Sequence, residues 1–154
     1  SLHQAVEKHK PNLIIMLGQS GGSDKVKLER VAINMMDAMR ADNDGYTPDE
    51  VSIDEDGDTA LFCNLPIKSL RTKINEQNIN VKVSNSCGLY VCNRLYYEAL
   101  NICKEKSIRA IFVHLPFYEG QPSAKPEKPT IPLNEMTKSI QVIIEEIYDR
   151  YRKI

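Results

Sequence analysis

The sequence predicts an α/β fold, a single domain with a mixed sheet set between helix layers. Two observations carry this. Short continuous apolar runs rich in branched residues, at 13–17 and 110–113, have the length and composition of buried strands. Between and after them come longer stretches whose apolar residues recur at helical spacing: Ile67, Leu70 and Ile74; Val91, Leu95, Ala99 and Ile102; and Leu133, Met136, Ile140, Ile143, Ile144, Ile147 and Tyr151. Strand and helix patterns that alternate along one chain build an α/β layer architecture.

Taken in order, residues 1–10 read as the end of a helix with Leu2, Ala5 and Val6 facing inward, stopped by Pro11. The run 13–17 is a buried strand, followed by the turn Gly18-Gln19-Ser20-Gly21-Gly22. That turn is not a dinucleotide fingerprint and lacks the lysine of a phosphate loop, so a plain glycine turn is the simpler reading. Residues 26–34 form the next strand, with Val26, Leu28, Arg30, Ala32 and Asn34 on one face and Lys27, Glu29, Val31 and Ile33 on the other. Glu29 then shares a face with Val31 and Ile33, and a carboxylate there requires a partner. A structural ion pair and a catalytic carboxylate both meet that requirement.

Residues 35–57 are an acidic, irregular excursion. The stretch 52–63 imitates a calcium loop, but Ser52 and Cys63 stand where the first Asp and the bidentate Glu belong, so a solvated loop or hairpin is expected. A short strand at 59–64 precedes a helix that has Pro66 in its first turn and reaches about residue 77. A strand at 81–83, a helix at 90–105 and a strand at 109–114 follow. Residues 116–132, rich in Pro, Lys and Glu, read as a loop, either a plain connector or a mobile rim to a site. The helix at 133–151 packs on the sheet.

With 154 residues and 42% hydrophobic content the chain can bury a sizeable core. A net charge of −1 and a pI of about 6.3 leave no basic field for nucleic acid, and no apolar run is long enough to span a membrane. No signal-peptide pattern is visible, and the expected compartment is the cytoplasm, on the cysteine reading that follows. The four cysteines, Cys63, Cys87, Cys92 and Cys103, show no metal-type spacing. An even count permits two disulfides; free thiols in a reducing compartment fit a chain with this much core.

The chemistry concentrates in residues 81–97. A strand, a polar glycine-containing turn and a helix put Cys92 in a first helical turn, where unpaired backbone N–H groups and the helix dipole favour thiolate. Cys92 is the best candidate nucleophile. His114 closes the strand at 109–114, a place where open α/β sheets carry their ligands, and is the candidate base; His3 and His9 lie in a polar leading helix. Cys87 is a competing nucleophile, read as a small buried residue. Cys63 and Cys103 read as core thiols.

Three motifs in this chain, Tyr90-Val91-Cys92-Asn93, Phe112-Val113-His114-Leu115-Pro116 and Leu28-Glu29-Arg30-Val31-Ala32-Ile33-Asn34, together closely resemble the pyroglutamyl-peptidase I (pyrrolidone-carboxylate peptidase) family. The resemblance runs in family order from Ser1 into the last helix. It implies a three-layer α/β/α sandwich of the phosphorylase/hydrolase type, a homodimer or homotetramer, and a cysteine exopeptidase that removes N-terminal pyroglutamate from peptides with no metal or organic cofactor. It implies that Cys92, His114 and Glu29 form the catalytic triad, with a backbone N–H at Gln19 in the oxyanion hole.

The resemblance also implies that Tyr90 and Val91 line the substrate pocket. The family commonly has Phe at the first of these and Ala at the position of Cys87; helix-start packing is the plainer account of Tyr90. An arginine beside the oxyanion is usual, yet strict alignment puts Met39 there and Arg40 one place later, which turns the side chain to the other face of an extended segment. Against the family a leading segment of several dozen residues is absent, with the first strand and a Gly/Phe-rich loop that helps to form the pocket. Two further readings follow: a truncated, non-catalytic homologue acting as a subunit or binding module, and a nucleoside phosphorylase-like enzyme of the same fold class, for which no phosphate-binding signature is present.

Overall fold

The structure is a computed structural model that describes residues 1–121 and 127–152. Its fold is α/β, with helices α1 (Leu2–His9), α2 (Ile67–Asn75), α3 (Val91–Glu105) and α4 (Leu133–Tyr151). A mixed four-stranded sheet has the order β1-β6-β2-β5, formed by β1 (Leu13–Gln19), β6 (Arg109–Leu115), β2 (Val26–Glu29) and β5 (Val81–Ser84). β2 and β6 run antiparallel, with Lys27 opposite His114 and Leu28 opposite Val113. Two small ladders complete the strands: β3 (Val31–Ile33) antiparallel to β4 (Ala60–Phe62), and β7 (Phe117–Tyr118) parallel to β8 (Thr130–Ile131).

The chain divides into two compact units. The first comprises residues 1–16, 29–65 and 84–112, the second residues 17–28, 66–83 and 113–154. The first unit has a core in which Val6, Ala32, Leu61, Cys87, Tyr96, Tyr97, Ala99, Leu100 and Phe112 pack together, with Cys92 and Leu95 against it. In the second, α2 packs on α4, and Leu70, Ile74, Ile143 and Ile147 are buried.

The predicted strand at 26–34 is broken at Arg30. The Arg30 N–H donates to the Ser84 carbonyl and its own carbonyl accepts from the Cys63 N–H, so the chain changes partners there and enters the β3–β4 ladder. Val26, Leu28 and Ala32 on one predicted face are fully buried, and so is Glu29 on the other. β1 is also not the buried strand its composition predicts. Met16 is its one buried residue and Leu17 is 54% exposed, because β1 is the last strand on one side of the sheet.

Helix positions are as predicted to within a residue or two, but two buried faces differ from the expected ones. In α3 the buried residues include Asn93, Tyr96, Tyr97, Leu100 and Cys103, while Val91 is 50% exposed. Ala99 and Ile102 of the predicted stripe are buried and Leu95 packs against the core, but two tyrosines and an asparagine widen the buried face and leave Val91 outside it. In α4, Val142 and Ser139 are buried with Met136, Ile143 and Ile147, whereas Leu133 and Ile144 are exposed. The loop expected at 116–132 contains β7 and β8; its residues 122–126, on which part of the mobile-rim reading falls, lie outside the described residues.

Side-chain hydrogen bonds hold the acidic excursion. The Asn34 carbonyl oxygen accepts from the N–H groups of Ile53 and Asp54 at 2.9 Å each, and its amide donates to the Asp54 carbonyl at 2.6 Å. The imitation calcium loop is therefore closed by one amide. Gly57 lies directly under the Tyr97 hydroxyl, where any β-carbon would collide.

Asn93 does the same for α3. Its amide donates to the Ile33 and Met35 carbonyls at 2.9 Å, and its oxygen accepts from the Ile33 N–H at 3.0 Å. Asn93 is 1% exposed. Replacement by alanine strands three backbone groups, each costly to leave unmade. For Asn93→Ala we expect a loss of about 2–4 kcal/mol in urea unfolding, seen as a lower midpoint with an unchanged slope.

Candidate active site

In the first unit the site is built on the passage from β5 into α3. β5 ends at Ser84, and the Ser84 and Ser86 hydroxyls close the turn by accepting from the N–H groups of Ser86 and Gly88. Gly88 has φ +81°, a left-handed conformation that glycine adopts without a β-carbon clash, and it turns the chain into the helix. Tyr90 is the N-cap in an extended conformation, and no side chain caps the helix. Cys92 is the second helical residue, half-buried, with its neighbour Asn93 pinned to β3. The first-turn N–H groups point along the helix axis toward its N-terminus, which favours negative charge there.

Glu29 closes β2 and is fully buried. A Glu29 carboxylate oxygen lies within 4.8 Å of the Cys87 sulfur. The Tyr96 hydroxyl donates to the Glu29 carbonyl at 2.9 Å, which fixes the end of the strand. The Tyr96 ring in turn packs on Phe112 at 5.9 Å between centroids.

The other thiols are poorly suited to attack. Burial pushes the Cys87 thiol far above its ordinary pKa, and the charges of Glu29 and Cys92 add to the effect. Burial likewise pushes Cys103 up to about 11 and raises Cys63. All four cysteines are free thiols.

Tyr90 and Val91 line one side of an apolar pocket of about 290 Å³, shared with Leu2, Met36, Tyr46, Pro48, Leu89 and Leu95. Asp42, Arg94 and Glu98 add charge to its wall, the last two as a salt bridge at 3.0 Å. The Tyr90 hydroxyl donates to the Ala41 carbonyl at 2.7 Å. That bond ties the α3 N-cap to the segment that carries Met39 and Arg40. Met39 is 99% exposed and Arg40 is exposed beside it.

In the second unit His114 is 7% exposed in β6, opposite Lys27 in the register. Gln19 is the last residue of β1. The Ser20 N–H donates to the Leu115 carbonyl at 2.8 Å, so the residues that follow Gln19 and His114 are directly joined. The Gln19 side chain is occupied: it exchanges two hydrogen bonds with Gln121, at 2.9 and 3.1 Å. Gly21 sits against the Phe117 ring, in a space that no β-carbon fits.

Within the first unit, Glu29 lies beside Cys87 of the core, Cys92 packs against that core, and Tyr90 and Val91 line the pocket with Tyr90 bonded to the segment that follows Arg40; within the second, Gln19 and His114 stand at adjoining strand ends. Asn93 and Tyr96 were not singled out from sequence. Their signal was present, as polar residues at helical spacing on what proves to be the buried face of α3, but an apolar-stripe criterion passes over them.

The pyroglutamyl peptidase family model matches residues 1–150. A pyrrolidone-carboxylate peptidase of Clostridium perfringens is 40% identical over 148 residues, which are 95% of this chain and 70% of that protein. Among solved structures, the pyrrolidone carboxyl peptidase of Thermococcus litoralis superposes with a TM-score of 0.93 at 29% identity, over 99% of this chain and 72% of that one. The pyroglutamyl peptidase I of Bacillus amyloliquefaciens does so with a TM-score of 0.86 at 34% identity, over 92% and 68%. No helix among the described residues is long and apolar enough to cross a membrane. The chain belongs to the pyroglutamyl peptidase family, peptidase C15, whose members are cysteine-type omega peptidases.

Proposed function

We propose that this chain, acting as one peptidase domain, hydrolyses the N-terminal pyroglutamyl residue from peptides through a Cys92–His114–Glu29 triad. The observation that carries the reading is the placement of Cys92: a half-buried thiol in the first turn of a helix with no side-chain cap, one residue from an apolar pocket. Family membership supplies the reaction class.

In this mechanism His114 takes the Cys92 proton, and Glu29 accepts a hydrogen bond from the other ring nitrogen, which sets the tautomer and stabilises the imidazolium. The thiolate attacks the pyroglutamyl carbonyl. Backbone N–H groups at the α3 N-terminus and at Gln19 take up the oxyanion charge, each good donor worth about 3–4 kcal/mol; Arg40 is a further candidate donor. His114 then protonates the departing amine, and water cleaves the thioester. The lactam ring is neutral and compact, and a mostly apolar wall formed by Tyr90 and Val91 suits it. No metal or organic cofactor enters these steps. We place the protein in the cytoplasm as a homodimer or homotetramer, in keeping with its free thiols.

Release of a fluorophore from a pyroglutamyl amide under reducing conditions tests the reading. The parent should be active, and Cys92→Ala should lose at least about 10⁴-fold in kcat/KM. No release by a folded parent would transfer support to the non-catalytic subunit or binding module. Glu29→Gln should retain the fold and lose about 10²–10⁴-fold in kcat, with KM little changed, because it removes charge without removing shape. The raised pKa of Cys87 gives a separate outcome. Thiolate is the species alkylated, so iodoacetamide at pH 8 should leave Cys87 unlabelled in the native protein, as read by peptide mass mapping. Label on Cys87 ahead of Cys92 would reverse the assignment of the nucleophile.

A further inference from the structure

The turn that follows β1 is tied down from outside, within the second unit. Residues 18–22 are Gly-Gln-Ser-Gly-Gly, so the turn has little side-chain bulk of its own to fix its backbone. The Ser20 N–H donates to the Leu115 carbonyl at 2.8 Å, and the Gln19 and Gln121 side chains exchange their two hydrogen bonds. A further tie is the Lys27 ammonium, which donates to the Ser20 hydroxyl at 2.8 Å.

Lys27 reaches Ser20 across a strand. The sheet order β1-β6-β2 puts β6 between the strand that carries Lys27 and the turn that follows β1. Lys27 stands opposite His114 in an antiparallel register, and directly opposed residues project from the same face of a sheet. The lysine stem therefore crosses β6 on the His114 face. Its head is delivered to a residue whose own N–H is bonded to the carbonyl next after His114. Two strand spacings make a crossing of roughly 10 Å, which a lysine stem and a serine hydroxyl cover end to end. Among the described residues Ser20 is the one hydrogen-bond partner of this ammonium. A half-buried lysine that gives up its rotamer freedom for a single neutral acceptor adds little to stability. What the contact does is fix a place.

We infer that Lys27 is a positioning residue for the proposed peptidase: it clamps the Gln19–Ser20 turn to the strand end that carries His114, and so holds the Gln19 N–H in a set place relative to the base. The inference rests on the reading of Gln19 as an oxyanion donor and of His114 as the base. An oxyanion donor acts on charge that develops in the transition state, and it is effective when it is already in place at that moment. A glycine-rich turn without its clamp has to rearrange first. Lys27 touches no reacting atom in this role; it works through the backbone that it fixes.

The test uses the full chain, Lys27→Met, Lys27→Arg, Ser20→Ala and the double variant Lys27→Met/Ser20→Ala. It reads pyroglutamyl amidase kinetics, inhibition by 2-pyrrolidone and by pyroglutamyl aldehyde, and hydrogen exchange of the Ser20 amide by NMR. The free lactam fills the ground-state site, whereas the aldehyde carbonyl adds the Cys92 thiol and presents a tetrahedral oxygen to the oxyanion hole. Lys27→Met keeps a stem of similar length and removes the donor; Ser20→Ala removes the acceptor. Each should lower kcat about 10–100-fold with KM little changed, weaken the aldehyde in proportion and leave 2-pyrrolidone binding unaltered. Lys27→Arg, which returns a cationic donor, should recover most of the loss, and the double variant should be no slower than either single one. The Ser20 amide should exchange about tenfold faster in both single variants. Equal losses for 2-pyrrolidone and the aldehyde, penalties that multiply in the double variant, or Ser20 exchange in Lys27→Met as slow as in the parent would overturn the inference. Exchange is read without activity. A folded parent that releases no fluorophore removes the catalytic role together with the peptidase reading, whereas unchanged exchange in Lys27→Met removes the clamp alone, so the two failures are distinguishable.

Discussion

The Asn93 amide is the interaction on which the first unit's chemistry depends. A helix N-terminus leaves its first N–H groups without helical partners, and a helix packed only through apolar contacts can rotate or slide by small amounts. Three hydrogen bonds from one buried amide to the backbone of residues 33 and 35 remove that freedom at the turn that carries Cys92. The residue beside the thiol is thereby fixed to β3, and β3 is fixed to β4 by its ladder. Tyr96, one turn further along the same face, reaches the Glu29 carbonyl. One face of α3 therefore sets the positions of both the thiol and the carboxylate. The exposed side is left to Tyr90, Val91 and Arg94, which line the pocket with the half-buried Leu95.

Burial also separates the roles of the cysteines. Cys63, Cys87 and Cys103 have their pKa values raised chiefly by desolvation, so three of the four thiols are held as thiols. Cys92 alone combines partial exposure with a helix N-terminus. Under the proposed mechanism, selection of one nucleophile among four chemically identical side chains is a matter of where the chain leaves each sulfur relative to the core. The same logic makes a second cysteine tolerable beside the site.

The segment of residues 36–48 shows how an irregular region becomes part of a site. It has no regular periodicity, yet it is tied down at each end: Met36 bridges Val51, the Asp37 N–H donates to the Leu89 carbonyl, and Tyr90 holds Ala41. Asp42 closes a turn inside it by accepting from the N–H groups of Asp44 and Tyr46. The pocket wall formed by Met36, Tyr46 and Pro48 is a product of these bonds, none of which leaves a pattern that a strand or helix period detects.

By itself the sequence determined the α/β class, the order of its four helices and longer strands, and the candidate site residues. Apolar periodicity and helix-start chemistry are local properties, and Cys92 in a first turn, Glu29 on a strand and His114 at a strand end all follow from near neighbours in the chain. Only the tertiary structure decided that the strand at 26–34 breaks at Arg30, that β1 is an edge, and that α3 buries its Asn93–Tyr96–Tyr97 side. Each of these depends on which distant backbone groups are available as partners: Ser84 and Cys63 for Arg30, and Ile33 and Met35 for Asn93. A polar side chain is buried when such a partner lies opposite it, and the partners lie 33 to 60 residues away along the chain.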